Sequence, residues 1–435
     1  MEQKAWVIAV DMGYGHQRAA YPLKDIAFDR IINANSDKVI TPKEKRQWQR
    51  FKLIYEGLSR VKSIPFIGKY LWSFYDKLQE ITPLYPFRDL SKPNINAIIL
   101  HRMISKGFLS SLVDYTKSED IPFVSTFFAP PIAAAYHKIK EVYCIVTDTD
   151  LNRIWVSKNP KRDKLCYLTP TEQSKKRLIE YGVPEKNIFF TGFPLPKENL
   201  GENLEITHKD LGKRLINLDP QKKYLQLYEP IIKEKLGDNY SDKPSHVLTI
   251  TYTVGGAGAQ KEIGIDLLKS LKNKIKDHEI RLNLVAGTRL EVKQYFEDGI
   301  KRFHLEEEHG KFINILFALD KKTLFAEFNE MLHETDVLWT KPSELVFYTA
   351  LGIPIIITPP VGSHEHYNRK WLRTISSGLD QEEPKYANEW LFDWIKTGRL
   401  AEAAWEGYLK SPKYGIYNIE KIIFAKDKEK INFEY

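Results

Sequence analysis

The sequence predicts an α/β protein made of two doubly wound, Rossmann-like domains facing a central cleft, and three observations point there. Strand-like apolar runs alternate with helical ones along most of the chain. A glycine turn follows the first such run, in "VIAVDMGYGHQRAA", and a second follows "HVLTITYTVGGAGAQ", where the pattern restarts. The length, 435 residues, exceeds the roughly 100 to 200 residues of an ordinary domain.

In chain order, "AWVIAVD" reads as a strand followed by a helix from about Ala19. The runs "NAIIL", "PFVSTFF", "EVYCIVTD" and "KLCYLT" read as further strands, then "EQSKKRLIEYG" as a helix and "NIFFTG" as a last strand. They set a first domain at 1–200. The polar, charged stretch 201–244 reads as helical, a linker with an insertion. The second domain, 245–400, opens with a strand, the turn and the amphipathic run "EIGIDLLKSLKNKI", and continues through "RLNLVAG", "FINILFA", a helix at "TLFAEFNEML", "DVLWT" and "PIIITPP". The tail 401–435 is expected to be helical, and the aromatic-rich run leading into it is expected to pack on the surface and bridge the domains. Facing sheets of this kind present their strand C-terminal loops to one cleft, where open α/β sheets bind ligands.

The segment 43–90 breaks this rhythm. Phe51, Ile54, Tyr55, Leu58 and Val61 recur at helical spacing, with Lys45, Arg46, Arg50, Lys52, Arg60 and Lys62 between them. Arg46, Trp48, Arg50, Phe51 and Lys52 together have the composition of an interfacial helix on an anionic membrane. The alternative is a surface helix pair whose apolar side packs on its own domain.

Composition narrows the setting. With 43% hydrophobic and 28% charged residues, the chain is of soluble globular type. It shows no apolar run of the roughly 20 residues needed to span a bilayer and no secretory leader pattern, so a cytoplasmic protein is expected. The net charge of +8 attracts nucleic acid or anionic lipid. Where that charge sits decides between them, and no nucleic-acid-binding motif is present to support the first. Cys144 and Cys166 lie in apolar runs and read as buried free thiols.

Three turns could carry chemistry. In "DMGYGHQRAA", Gly13 and Gly15 allow a tight strand-to-helix turn, and His16 is either a general base or a hydrogen-bonded structural histidine. The spacing fits neither the dinucleotide fingerprint nor a Walker loop. In "TVGGAGAQKE", Gly255, Gly256 and Gly258 precede a helix and suit either a metal-free diphosphate seat or simply a close turn. In "DVLWTKPSELVFYTALGIPIIITPPVGSHEHYNRKWL", the residues Lys341, Ser343 and Glu344 follow one strand, and His364, Glu365 and Asn368 follow the next. Polar groups at successive strand ends converge and can hydrogen-bond a polyhydroxylated ligand. His364 and His366 lack zinc-enzyme spacing, so neither metal nor cofactor is expected.

These motifs together resemble a GT-B glycosyltransferase, and most resemble the monogalactosyldiacylglycerol synthase and processive diacylglycerol glucosyltransferase group, related to the lipid II N-acetylglucosaminyltransferase. The likeness is densest in "IVTDTDLNRIWVSKNPKRDKLCYLTPTEQSKKRLIEYGVPEKNIFFTGFPL", at Thr147, Asp148, Trp155, Glu172, Gly182, Gly192 and Pro194. It implies that the first domain binds the acceptor and the second a nucleotide sugar, with Gly13 and Gly15 bordering phosphates and acceptor. It further implies His16 as the base with Asp148 as runner-up, and Gly255, Gly256 and Gly258 as the diphosphate turn. Lys341, Ser343 and Glu344 then fall beside the donor, and Glu365 and Asn368 near its sugar, with His364 where the family usually has Gln. Segment 43–90 takes the place of the group's membrane-associating insertion, and the expected setting becomes the inner face of the membrane.

The implied reaction moves a hexose from a nucleotide diphosphate sugar, UDP-linked by analogy, to a lipid acceptor such as diacylglycerol, inverting and without metal. The chain departs from the family at Pro342-Ser343, where a glycine pair is usual, at Phe347, where a ribose-binding Glu is usual, and at Asn152, where a His is usual. Two rival readings are a nucleotide-sugar epimerase and a non-catalytic protein that binds lipid or nucleotide.

Overall fold

A computed structural model describes residues 3–49, 81–256 and 258–435. It divides into two compact units, one of residues 1–194, 362–367 and 414–435, the other of 195–361 and 368–413. Each is a six-stranded sheet with flanking helices, the pair of Rossmann-like units expected of a GT-B chain.

The first unit holds β1 (Trp6–Ala9), β2 (Ile32–Asn33), β3 (Phe123–Ser125), β4 (Val142–Ile145), β5 (Leu165–Thr169) and β6 (Ile188–Phe190). They lie in the order β2-β1-β3-β4-β5-β6, paired in parallel throughout. Strands buried on both faces explain the near-continuous apolar runs read from the sequence. The order reverses at β1, so the crevice between the C-terminal ends of β1 and β3 is the switch point where such sheets take ligands.

The second unit holds β7 (Leu248–Thr253), β8 (Ile280–Gly287), β9 (Ile313–Phe317), β10 (Val337–Thr340), β11 (Ile355–Ile357) and β12 (Gly378–Asp380). Their order is β12-β11-β10-β7-β8-β9, again parallel. Here the switch point lies between β7 and β10, whose C-terminal turns carry Gly255–Gly258 and Lys341–Ser343.

Four expectations need correction. The run "NAIIL" is not a strand but the start of the helix Ile95–Ser105. Asn94 caps it, its side chain accepting from the Ala97 amide at 2.9 Å, and Ala97, Leu100 and Ile104 bury one face. The stretch 201–244 is no linker: the helices Glu205–Leu218 and Leu225–Leu236 supply Leu211, Leu215, Leu225 and Ile232 to the second core. The tail is helical as expected, but its aromatic run does not lie on the surface: Trp394, Trp405 and Tyr408 are buried in the second core, to whose unit the helix Arg399–Lys410 belongs, while Gly415–Phe424 belongs to the first.

The fourth concerns the basic segment. Arg50, Phe51 and Lys52 lie outside the described residues, whereas residues 42–49 form a helix on the first unit. Arg46 is exposed there, but Trp48 is only 2% exposed and belongs to the core. Its ring packs 5.1 Å from Phe108 and 6.1 Å from Phe127. A side chain buried in its own domain has no apolar surface left for lipid, so Trp48 is a packing residue. Glu44, one turn earlier, accepts from the Ser111 amide at 3.0 Å and fastens the helix to the unit. Among the described residues, no helix is long and apolar enough to cross a membrane.

Candidate active site

The turn after β1 carries the first unit's candidate residues. Gly13 adopts φ +90, a left-handed conformation that side chains resist, and it lets the chain enter the helix Gly15–Ala20. Asn35 pins the strand end, its amide donating to the Asp11 carbonyl while its side-chain oxygen accepts from the Asp11 amide, both at 2.9 Å. His16 then sits at the mouth of the β1/β3 crevice.

One ring nitrogen of His16 has a defined role. Nδ1 lies 2.8 Å from the Thr126 carbonyl, just past β3. A carbonyl only accepts, so Nδ1 must carry the proton, and in the neutral ring the lone pair is on Nε2. The Thr147 hydroxyl approaches the same nitrogen at 3.3 Å, and the Thr126 hydroxyl donates back to the His16 carbonyl at 2.7 Å. Phe127 meets the ring edge-on at 4.8 Å, with Trp155 at 6.2 Å. The imidazole is therefore held in tautomer and orientation by backbone and packing.

Asp148 follows Thr147 in the loop after β4 and is partly exposed. That loop is fixed from behind by a buried ion pair. Asp150 and Arg177 are each 1% exposed and joined by two parallel hydrogen bonds of 2.7 and 2.8 Å. Burial alone would lower the Arg177 pKa, and hydrogen bonding and charge from Asp150 outweigh it, leaving the guanidinium more basic than usual. Thr171, which caps the helix Glu172–Glu180 through a reciprocal bond with Ser174, donates its hydroxyl to the Thr149 carbonyl at 2.8 Å. The S/T-E helix signature read from the sequence thus positions the V-T-D loop that faces His16.

The second unit carries the other predicted residues. Gly255 faces Lys341 so closely that an added Cβ would stand 3.2 Å from Lys341 Cε. The lysine stem thus lies along the glycine turn in the β7/β10 crevice. Gly258 is at φ +74. The amides of Gly255 and Gly258 do not splay outward: they close the turn on the Ala259 carbonyl at 3.3 Å and the Gly255 carbonyl at 2.7 Å. The turn instead leads into the start of the helix Lys261–Ser270, which no side chain caps.

Two residues missed by the sequence reading shape this turn. Arg289 donates Nε to the Gly256 carbonyl at 2.8 Å, which sets a second cation beside it. Gln260, at φ 66, spans from the turn to β11, donating to the Pro359 carbonyl at 2.9 Å and accepting from the Thr358 hydroxyl at 2.7 Å. Arg289 had a legible signal, a cation two residues beyond a strand ending in Gly287.

Asn368 is fully buried and donates to the Pro342 carbonyl at 3.1 Å, so it shapes the turn holding Lys341 and Ser343. Ser343 precedes the 3-10 helix Glu344–Leu351, in which Glu344 is nearly buried. Phe347, where the resemblance leads one to expect a ribose-binding Glu, is buried 5.3 Å from Trp371. His364 and Glu365 open the helix Ser363–Thr374 and group with the first unit. The His364 ring folds over Gly362, whose added Cβ would stand 3.0 Å from it, and Glu365 is buried. Cys144 and Cys166 are free thiols, and burial raises both pKa values, which keeps them protonated and inert.

Residues 240–419 match a family model described as a domain of unknown function (DUF6938). The processive diacylglycerol beta-glucosyltransferase of Bacillus subtilis (strain 168) is 24% identical over 266 residues, 60% of this chain and 56% of that protein. The match thus spans little more than half the length of that relative. The Bacillus pumilus (strain SAFR-032) protein of the same name is 21% identical over 395 residues, 87% of this chain and 82% of its own. Among solved structures, an S. aureus MnaA–UDP complex is 12% identical with a TM-score of 0.47, covering 97% of this chain and 96% of its own.

Proposed function

We propose that this chain is a membrane-associated glycosyltransferase that moves a hexose from a UDP-sugar to a lipid or lipid-linked acceptor such as diacylglycerol, with inversion and without metal. The observation that carries the reading is the His16 tautomer: Nδ1–H is committed to the Thr126 carbonyl at a ligand-binding switch point, which makes Nε2 the basic nitrogen. The names of the two Bacillus relatives supply the acceptor class and the sugar chemistry.

The first unit's share is proton abstraction. Nε2 of His16 takes the acceptor hydroxyl proton as that oxygen forms a bond to the anomeric carbon. Asp148 assists in orienting the hydroxyl. The second unit's share is the leaving group: the bond from the anomeric carbon to the diphosphate oxygen breaks and its electron pair departs with the diphosphate. Lys341, Arg289 and the uncapped helix start beyond Gly255, Gly256 and Gly258 stabilise that charge. Ser343, Glu344, His364, Glu365 and Asn368 form or shape the sugar and ribose surroundings. Gly13 and Gly15 supply the turn beside the acceptor. The enzyme works at the inner face of the membrane, reached through the basic stretch that contains Arg46, Arg50, Phe51 and Lys52.

The test incubates the protein with radiolabelled UDP-hexoses and anionic vesicles containing diacylglycerol. Label in the lipid phase is expected. Isomerised nucleotide sugar with unlabelled lipid would replace the reading with an epimerase, and absence of any nucleotide-induced change in melting temperature would sink the enzyme reading.

A further inference from the structure

We infer that the exposed face of the helix Ile95–Ser105 is a contact for an anionic lipid surface, an inference that rests on the membrane half of the reading above. At 100° per residue, Ile95, Ile99, Arg102 and Lys106 fall within about 60° of one another. Ala97, Leu100 and Ile104 lie opposite and are buried. The outward isoleucines are 66% and 48% exposed, and Arg102 and Lys106 are exposed beside them. A solvent face of a globular helix ordinarily carries polar residues of both signs. This one combines two large aliphatic side chains with two cations.

The surrounding chain extends the same chemistry. No acidic residue occurs between Ser91 and Val113, while Lys92, Arg102 and Lys106 are basic. In the loop before the helix, Tyr85 and Phe87 are 61% and 73% exposed and stack edge-on at 4.9 Å, with Arg88 following. Exposed aromatics next to exposed cations suit the headgroup boundary, where rings enter the acyl edge and cations meet lipid phosphates. The helix start is firmly seated: the Asn94 side-chain amide donates to Asn152 at 3.2 Å, and Arg153 donates to the Ser91 carbonyl at 2.9 Å. The isoleucines are therefore presented by a braced element. Charge decides the occupant: Asp89 is exposed in the loop, but Arg88, Lys92, Arg102 and Lys106 outnumber it, and a face of net positive charge complements a phosphatidylglycerol surface.

The experiment is co-sedimentation of the full chain with vesicles of phosphatidylglycerol and phosphatidylcholine, at low and high salt. The pairs Ile95→Ser/Ile99→Ser and Arg102→Glu/Lys106→Glu are each expected to lower vesicle binding by about tenfold or more, with unchanged melting temperature and UDP binding. Salt should weaken the wild type and leave little to remove in the charge-reversed pair. Both pairs sedimenting like the wild type would overturn the assignment while the membrane reading stands. A wild type that ignores the vesicles would overturn both, whereas loss of UDP binding alone would strike only at the donor reading.

Discussion

Commitment of Nδ1 to the Thr126 carbonyl gives His16 a single basic nitrogen, and replacing the ring removes it. His16→Ala should lower turnover by about 10² to 10⁴-fold while UDP binding by calorimetry and the melting temperature stay near wild type. An unfolded variant would return His16 to a structural role. A second residue-scale prediction concerns pH. His333 Nδ1 lies 2.6 Å from Asp210, and that hydrogen bond raises its pKa above the ordinary value, against the opposing effect of burial. A raised folded-state pKa means stability that is fully present below about pH 6.5 and lost as pH rises through the folded value. Asp210→Asn should remove that slope from urea midpoints measured between pH 5 and 9, and an unchanged slope would refute the assignment.

At the scale of elements, the helix at 42–49 supports the site from beneath. Trp48 packs on Phe127, and Phe127 packs on His16. Trp48→Ala should cost about 3 to 5 kcal/mol in urea denaturation, as for other buried aromatics. Vesicle binding of the folded fraction should persist, and its loss in step with the truncation would restore Trp48 to the lipid face. The sequence could not separate these outcomes, because a Trp among basic residues satisfies both an interfacial helix and an amphipathic helix on its own core. "NAIIL" shows the same ambiguity, since a short apolar run suits a strand or a buried helix face. The Asn94 cap was the local sign of a helix. The helices in 201–244 were legible as helices, but charge on their outward faces hid that Leu211, Leu215, Leu225 and Ile232 pack into the second core.

At the scale of the whole chain, the alternation of strand and helix was legible because local patterning reports burial directly. The apolar runs at β1, β4, β10 and β11 are continuous, and each is buried along its whole length. The short strands β2 and β12, two and three residues long, left too little pattern to read. The glycine turns were legible for a similar local reason: Gly13 and Gly258 sit at positive φ, which the residue type announces. Chemistry confined to one turn was thus determined by the sequence itself: a histidine after a tight strand-to-helix turn, and glycines before a helix. Only tertiary structure decided which strands stand side by side. That adjacency brings Thr126 to His16 across 110 residues and the Lys341 stem to Gly255. It also sends the helix Gly415–Phe424 back to the first unit. Such pairings depend on how both faces of each sheet are covered, a property of the packed unit that no local spacing encodes.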